Sequence, residues 1–468
     1  MRTSSVSLHW SYVLPLILVL TDCDPHGCRN KPPDPPVVEC PKPFFELIGD
    51  LEGDAHYSEL RDIDRMGLRS VGESWANDTA IADDGGSTWA GTGTWAHAYQ
   101  AIGFTRLCAN VPFLSAGSAG LQGLGYCAPT WRSESAANGV SPDGDLTVGC
   151  CNAGATGMSQ AMTLRSDLYK TLLPALAGDQ SGMARASSDT VRTLPGGGPG
   201  AMDAVRSGER VIVGHSSSST DIPQKRVGGK AVIWTSATQV VPLPLPMQLP
   251  NGLAVISSEA IAISDDGWVV VGNLFFDGPA VSGARLPCYP CVWHLQSNGA
   301  FSAPVFLGVL PGEQPDGKVQ DVSGDGRVVV GTSQVGEDAH ACRWTFDGAS
   351  WSTALELGVL PGMTYSTVGS VNRDGSAIVG TSGFFSDDAF GFRPVRWRPS
   401  ATSSGMEDLH PVLAALVPSM NITDDWLISI AAISGEGATA CGTVSFPSPT
   451  PADPDRRFDE GWVAGPLP

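Results

Sequence analysis

Charge is scarce in this sequence. Asp, Glu, Lys and Arg make up 16% of its 468 residues, against about 25% in an ordinary soluble domain. Basic residues are scarcest, with 28 Lys and Arg facing 48 Asp and Glu for a formal net charge of −20. That balance excludes a polybasic nucleic-acid binder and argues against direct adhesion to anionic lipid. No apolar run approaches the ~20 residues of a membrane helix; the longest, Trp10 to Leu20, has eleven. Reactive constellations are missing too. There is no Gly-x-Ser-x-Gly elbow, phosphate loop, HExxH or dinucleotide fingerprint, and Gly380-Thr381-Ser382-Gly383 belongs to a repeat. The eight histidines (9, 26, 56, 97, 215, 294, 340 and 410) are scattered one per region. No catalytic, cofactor-binding or metal-ligating residue is assigned.

Glycine and proline are abundant instead, 56 and 36 residues, with 42% hydrophobic content. Together they exclude a coiled coil or helical bundle yet leave enough apolar side chain for a large core. Residues 1–22 read as a secretion signal, with Arg2 before the eleven-residue apolar run. Leu20-Thr21-Asp22-Cys23 resembles a bacterial lipoprotein signal, which implies lipidation of Cys23; ordinary cleavage and an uncleaved anchor are the alternatives. Seven prolines fall between Cys23 and Pro43. Proline favours extended, semi-rigid chain, so 23–43 reads as a tether. In an exported chain, cysteines point to disulfides. The candidates are Cys28 and Cys40 around the tether, Cys108 and Cys127 around a loop-like stretch, and Cys288 with Cys291 in an expected turn.

Self-comparison organises the rest. Leu307-Gly-Val-Leu-Pro-Gly312, Val322-Ser-Gly-Asp-Gly326, Val328-Val-Val-Gly-Thr-Ser333 and Arg343-Trp344 recur as Leu357 to Gly362, Asp374-Gly375, Ile378 to Ser382 and Arg396-Trp397. Glycine pairs five apart index the copies at 67/72, 144/149, 267/272, 326/331, 375/380 and 437/442, with one more ending at Gly214. Gly86/Gly91 leaves room for an eighth, degenerate unit. Asp-Gly between apolar runs makes a hairpin turn, because glycine accepts the positive φ that tight turns demand. Short continuous β-branched runs read as strands buried on both faces. The glycine ending each run marks a bulge or a close backbone approach. Tryptophan closes the copies at 131, 234, 293, 344, 397 and 462.

Units of 49 to 65 residues hold four short strands each, which predicts an all-β fold: a single β-propeller over 44–468 with about seven blades, between six and eight. Phe44 to Ile48 matches the strand before each Leu-Pro-Gly, and the last copy lacks that strand. The two ends are therefore expected to complete one blade together. Ser166 to Ala177 and Met406 to Val417 carry helical spacing and read as small covering helices.

The Leu-Gly-x-Leu-Pro-Gly, Val-Ser-x-Asp-Gly, Val-Val-Gly-x-Ser and Arg-Trp pattern resembles the bacterial extracellular repeats called HAF repeats, over about Phe44 to Val463. His340-Ala341-Cys342 stands nearest the family's His-Ala-Phe triplet. Ser141-Pro142-Asp143-Gly144 is similar to the turn of TolB and YVTN-type propellers. The resemblance implies export and a repeat fold and brings no agreed activity. Asp321, Asp325, Asp265, Asp266, Asp387 and Asp388 offer oxygens of the kind calcium takes. No loop has the later bidentate Glu, so turn chemistry is the favoured reading and no cofactor is assigned. The sequence thus predicts an exported, surface-anchored, non-catalytic binding or envelope protein whose partner is a macromolecule or a glycan. The alternative is a glycan hydrolase or lyase with its site at the propeller axis.

Overall fold

The computed structural model describes residues 43–48, 57–77, 97–105, 120–123, 135–152, 158–165, 169–189, 210–218, 228–246, 248–249, 252–276, 287–311, 316–385, 390–400, 405–423, 425–447 and 457–467. They form seven four-stranded antiparallel sheets. In each repeat glycine pair the first glycine lies in the turn and the second lies within the second strand of one sheet. The first strands are Ser58–Ile63, Ser135–Val140, Ser181–Ser187, Val255–Ile263, Gly317–Val322, Tyr365–Val371 and Leu427–Ile433, opening blades 1 to 7. Every first strand touches the first strands of both neighbouring blades, and blade 7 meets blade 1. They therefore form the innermost wall of a closed ring. Among the described residues, no helix is long and apolar enough to cross a membrane.

Closure follows the expected route. Phe44–Leu47 pairs antiparallel with Arg457–Gly465 and is the outer strand of blade 7. Phe45 stacks on Trp462 at 5.3 Å between ring centroids. The continuous apolar runs are second strands buried on both faces; every residue of Val269–Phe276 is buried.

One bulge repeats in all seven first strands. Pairing slips by one residue around Arg61, Asn138, Arg185, Ile261, Gln320, Gly369 and Ala431. The repeat glycine sits opposite the residue just before each bulge, as Val319 faces Gly331. A Cβ on Gly331 would overlap the carbonyl oxygen of Lys318, and the other six repeat glycines meet the same obstruction. The glycine is there because the bulged backbone lies directly on it. The earlier glycine of each pair has the predicted positive φ, 71° at Gly326 and 73° at Gly375.

Three expectations change. Of the helix expected over Ser166 to Ala177, the described residues 169–177 are not helical: Lys170–Leu172 is the outer strand of blade 2. Blade 2 needs its fourth strand there, and Pro174 prevents a helix from continuing. Met406 to Val417 divides into the outer strand Met406–Asp408 of blade 6 and the helix His410–Leu416, which buries Leu413. Trp462 is also out of step. The other closing tryptophans pair two residues before the repeat glycine, as Trp344 does with Val329, whereas Trp462 pairs with Gly442 itself. Gly86/Gly91 and Trp131 lie outside the described residues.

Candidate functional site

The innermost strands alternate between buried side chains wedged between blades and more open ones facing the ring's interior. The bulge residue is the more open one in every blade, and the residue before it is buried. Bulging therefore leaves one residue per blade partly exposed on the inner wall of the ring. The charged members gather on one side: Arg61 and Arg185 belong to blades 1 and 3, while blades 6 and 7 supply Gly369 and Ala431.

A chain of polar contacts runs along that charged side. The Tyr57 hydroxyl donates to Glu59 Oε2 at 2.7 Å, and Arg61 Nε donates to Glu59 Oε1 at 2.5 Å. Arg61 Nη2 reaches Glu73 at 2.8 Å, and Nη1 donates to Asn138 Oδ1 at 3.0 Å. Asn138 Nδ2 then donates to the Ala184 carbonyl at 3.0 Å, so the chain crosses blades 1, 2 and 3. Burial, and then Glu59, push the Tyr57 phenol far above its ordinary value. Burial works against the Arg61 charge, but Glu73 and Glu59 outweigh it. Both Glu59 oxygens are occupied by donors, which suits a positioning carboxylate rather than a base. Burial raises the nearby Cys150 thiol, so it is not an activated nucleophile.

The hairpin turns close in at one end of the channel. Gly435 N–H donates to Arg65 O, Arg65 to Pro142, Asp189 to Asp265, Asp265 to Gly324, Asp325 to Arg373, and Arg373 to Gly435, all at 2.9 to 3.1 Å. Six of the seven blade junctions are bridged this way. The seventh, between blades 2 and 3, would need an N–H that Pro142 does not have. Within this ring Arg65 Nη2 is bonded to both Asp189 and Asp265, and Arg373 Nε lies 3.2 Å from Asp265. Gly324 and Gly435 make room, since a Cβ on either would overlap Asp265 and Arg373, or Arg65.

Just inside this end, two aspartates clamp neighbouring blades. Asp62 accepts from Ile63 N and, in blade 2, from Val140 N, both at 2.8 Å. Asp321 accepts from Val322 N at 2.7 Å and, in blade 6, from Val371 N at 2.9 Å and Ser370 Oγ at 2.7 Å. Burial outweighs these donors and pushes Asp62 up to about 7 and Asp321 up to about 6; Asp64 in the adjoining turn is raised to about 6 the same way.

The acidic turns behave as turn chemistry. Asp325 Oδ1 accepts from Ser323 Oγ at 2.6 Å and Arg327 N at 3.0 Å, and Asp266 Oδ1 does the same for Ser264 Oγ and Trp268 N. Asp387 and Asp388 lie outside the described residues. Among those residues no group of three or more His, Cys, Asp or Glu could hold a metal.

Cys288 and Cys291 do not form the expected bridge. They lie in the strand Cys288–His294, not in a turn, and both are buried thiols not joined to each other. A three-residue offset in a strand points two side chains to opposite faces. Their Sγ atoms accordingly approach different acceptors, Gly317 O at 3.3 Å and Gly272 O at 3.4 Å. Cys23, Cys28, Cys40, Cys108 and Cys127 lie outside the described residues. Of the adjacent pair Cys150 and Cys151, Cys150 is free and Cys151 is disulfide-bonded.

The channel residues were not singled out from the sequence. A signal was present: each bulge residue except Arg185 precedes its repeat glycine by eleven positions, as Arg61 precedes Gly72.

No family model matches this chain, and no curated protein matches it. Solved structures do. TolB from Acinetobacter baumannii is 11% identical with a TM-score of 0.33, covering 69% of this chain, which spans 64% of the length of that protein. The β-propeller domain of the Trilobed protease from Pyrococcus furiosus, described as having an open velcro topology, is 10% identical with a TM-score of 0.45, covering 88% of this chain and 96% of that one. Oligogalacturonate lyase in complex with manganese is 11% identical with a TM-score of 0.43, covering 91% and 97%. These likenesses concern the β-propeller fold alone.

Proposed function

We propose that this chain is an exported, surface-anchored β-propeller that binds a glycan or another macromolecule at its central channel without transforming it. The HAF-repeat resemblance, the apolar leader and Cys23 with its proline-rich tether support export and anchoring. The observation that carries the binding reading is the state of the channel carboxylates. Glu59 and Glu73 are ion-paired with Arg61, and Asp189 and Asp265 with Arg65. Carboxylates held this way orient donors and acceptors for a polar ligand, and both Glu59 oxygens are already taken by donors.

A glycan array and affinity capture from envelope extracts test the reading, with turnover assays on the same polysaccharides. Binding that falls on Arg61→Gln, without product formation, supports it. Turnover lost on replacing an axial carboxylate would overturn it in favour of the hydrolase or lyase. For anchoring, Cys23→Ser should release the protein from the membrane fraction; unchanged fractionation would remove the lipid anchor.

A further inference from the structure

Arg65, Asp189, Asp265 and Arg373 come from blades 1, 3, 4 and 6, and all three contacts among their side chains, Arg65 with Asp189, Arg65 with Asp265 and Arg373 with Asp265, join blades that are not neighbours in the ring. Arg65 Nη2 serves two carboxylates at once, and Asp265 Oδ2 is shared by two arginines at 2.8 and 3.2 Å. The four side chains are only 12 to 26% exposed at the turn end of the ring. Two positive and two negative charges leave the group neutral.

The cluster is also under-bonded. Arg65 Nε and Asp189 Oδ1 are buried and make no hydrogen bond. Buried polar groups in stable structural networks are almost always paired, so an exception invites a functional explanation. Asp189 stands at the one junction where Pro142 interrupts the backbone ring.

We propose that this cluster is a charge-controlled gate: with Asp265 ionised it closes the turn end of the channel, and neutralising Asp265 weakens the hold on both arginines, leaving Arg65 on Asp189, and opens that end. Asp265 is the carboxylate the two guanidiniums share. Without its charge, Arg65 and Arg373 repel each other across the axis, with Asp189 the remaining carboxylate of the four. The charged groups facing Asp265 are these three, its turn neighbour Asp266, and Asp321 from blade 5. Burial raises the Asp265 carboxyl in spite of the arginines, and Asp189 and Asp266 raise it further, so acidification is the direction that opens the gate. The gate regulates the channel proposed above as the binding site, and in that sense rests on that reading.

Arginine footprinting with phenylglyoxal, read by peptide mass spectrometry, tests the gate without any ligand. Exposed Arg327 serves as the internal reference. Asp265→Asn should raise modification of both Arg65 and Arg373 by about tenfold, the effect of losing one charge-assisted hydrogen bond. Asp189→Asn should raise Arg65 alone, and it keeps the test usable if Asp265→Asn does not fold. In the unmodified sequence the Arg65-to-Arg327 ratio should increase as pH falls. Equal protection of Arg65 in the wild type and in whichever folded variants are obtained would overturn the gate and leave the binding proposal standing. Protection lost as expected with no ligand found would do the reverse.

Discussion

The Trp344 indole donates its Nε1–H to the carbonyl of Gly308 at 2.7 Å, pinning blade 5 to the connector that enters it. Trp293 does the same to Pro244 at 2.8 Å and Trp234 to Pro174 at 2.7 Å. This contact links two parts of the repeat that look independent in the sequence, the Leu-Gly-x-Leu-Pro-Gly corner and the closing tryptophan. Trp397 breaks the pattern: its Nε1 is buried without a partner. The corresponding connector glycine, Gly358, has φ of 86°, a conformation Gly308 does not adopt.

The indole bonds therefore predict unequal costs. Trp344→Phe should destabilise the ring by about 1 kcal/mol more than Trp397→Phe, because only the first leaves a carbonyl without its donor. Urea denaturation of both variants decides this, and equal losses would remove the indole bond as a contributor.

The closing strand predicts a larger effect. Phe45→Ala removes a buried ring stacked on Trp462 and should cost about 3–5 kcal/mol. Deleting Phe44 to Ile48 should severely lower the melting temperature, since it exposes the edge of blade 7. A deletion variant that melts normally would refute closure by this strand.

At the repeat glycine, Gly331→Ala should cost about 3 kcal/mol or more, because its Cβ would displace the Lys318 carbonyl of the bulge. Gly308→Ala is the matched control, with nothing closer to its Cβ than Ala354 N at 4.0 Å. Thermal melts of the two should differ widely; similar values would mean that the bulge yields easily.

Buried Asp62, Asp321 and Asp64 predict a pH dependence of stability. Their folded values of about 7, 6 and 6 lie above the ~3.9 of an unfolded aspartate, so the folded chain holds more protons between these limits. Their contribution to stability is fully present below about pH 4 and declines as pH rises to about 7. Asp62→Asn should flatten part of that decline while keeping an acceptor for one backbone N–H. Denaturation midpoints at pH 5 and pH 8 test it, and a variant with the wild-type pH slope would exclude Asp62.

The ring itself was legible because its parts are local. Gly326 and Gly375 reveal turns by their spacing, Val328 to Val330 reveal a buried strand by composition, and Phe44 to Ile48 reveals closure by matching a missing strand. The channel was not, because its chemistry is decided by an offset between two strands: whether Gln320 faces inward depends on the bulge, and no property of Gln320 records it. Cys288 and Cys291 failed for a related reason. Their spacing fits a turn or a strand, and only pairing with Phe275 and Gly272 settles which.

The seven bulges have an evolutionary consequence. Arg61, Asn138, Arg185, Ile261, Gln320, Gly369 and Ala431 occupy one backbone slot yet share almost no chemistry. A bulged residue owes nothing to the ladder, whose hydrogen bonds are made by its neighbours on either side. Mutation can therefore rewrite the interior of the ring one blade at a time while the scaffold stays intact, which gives a duplicated blade a way to diverge without first having to survive misfolding.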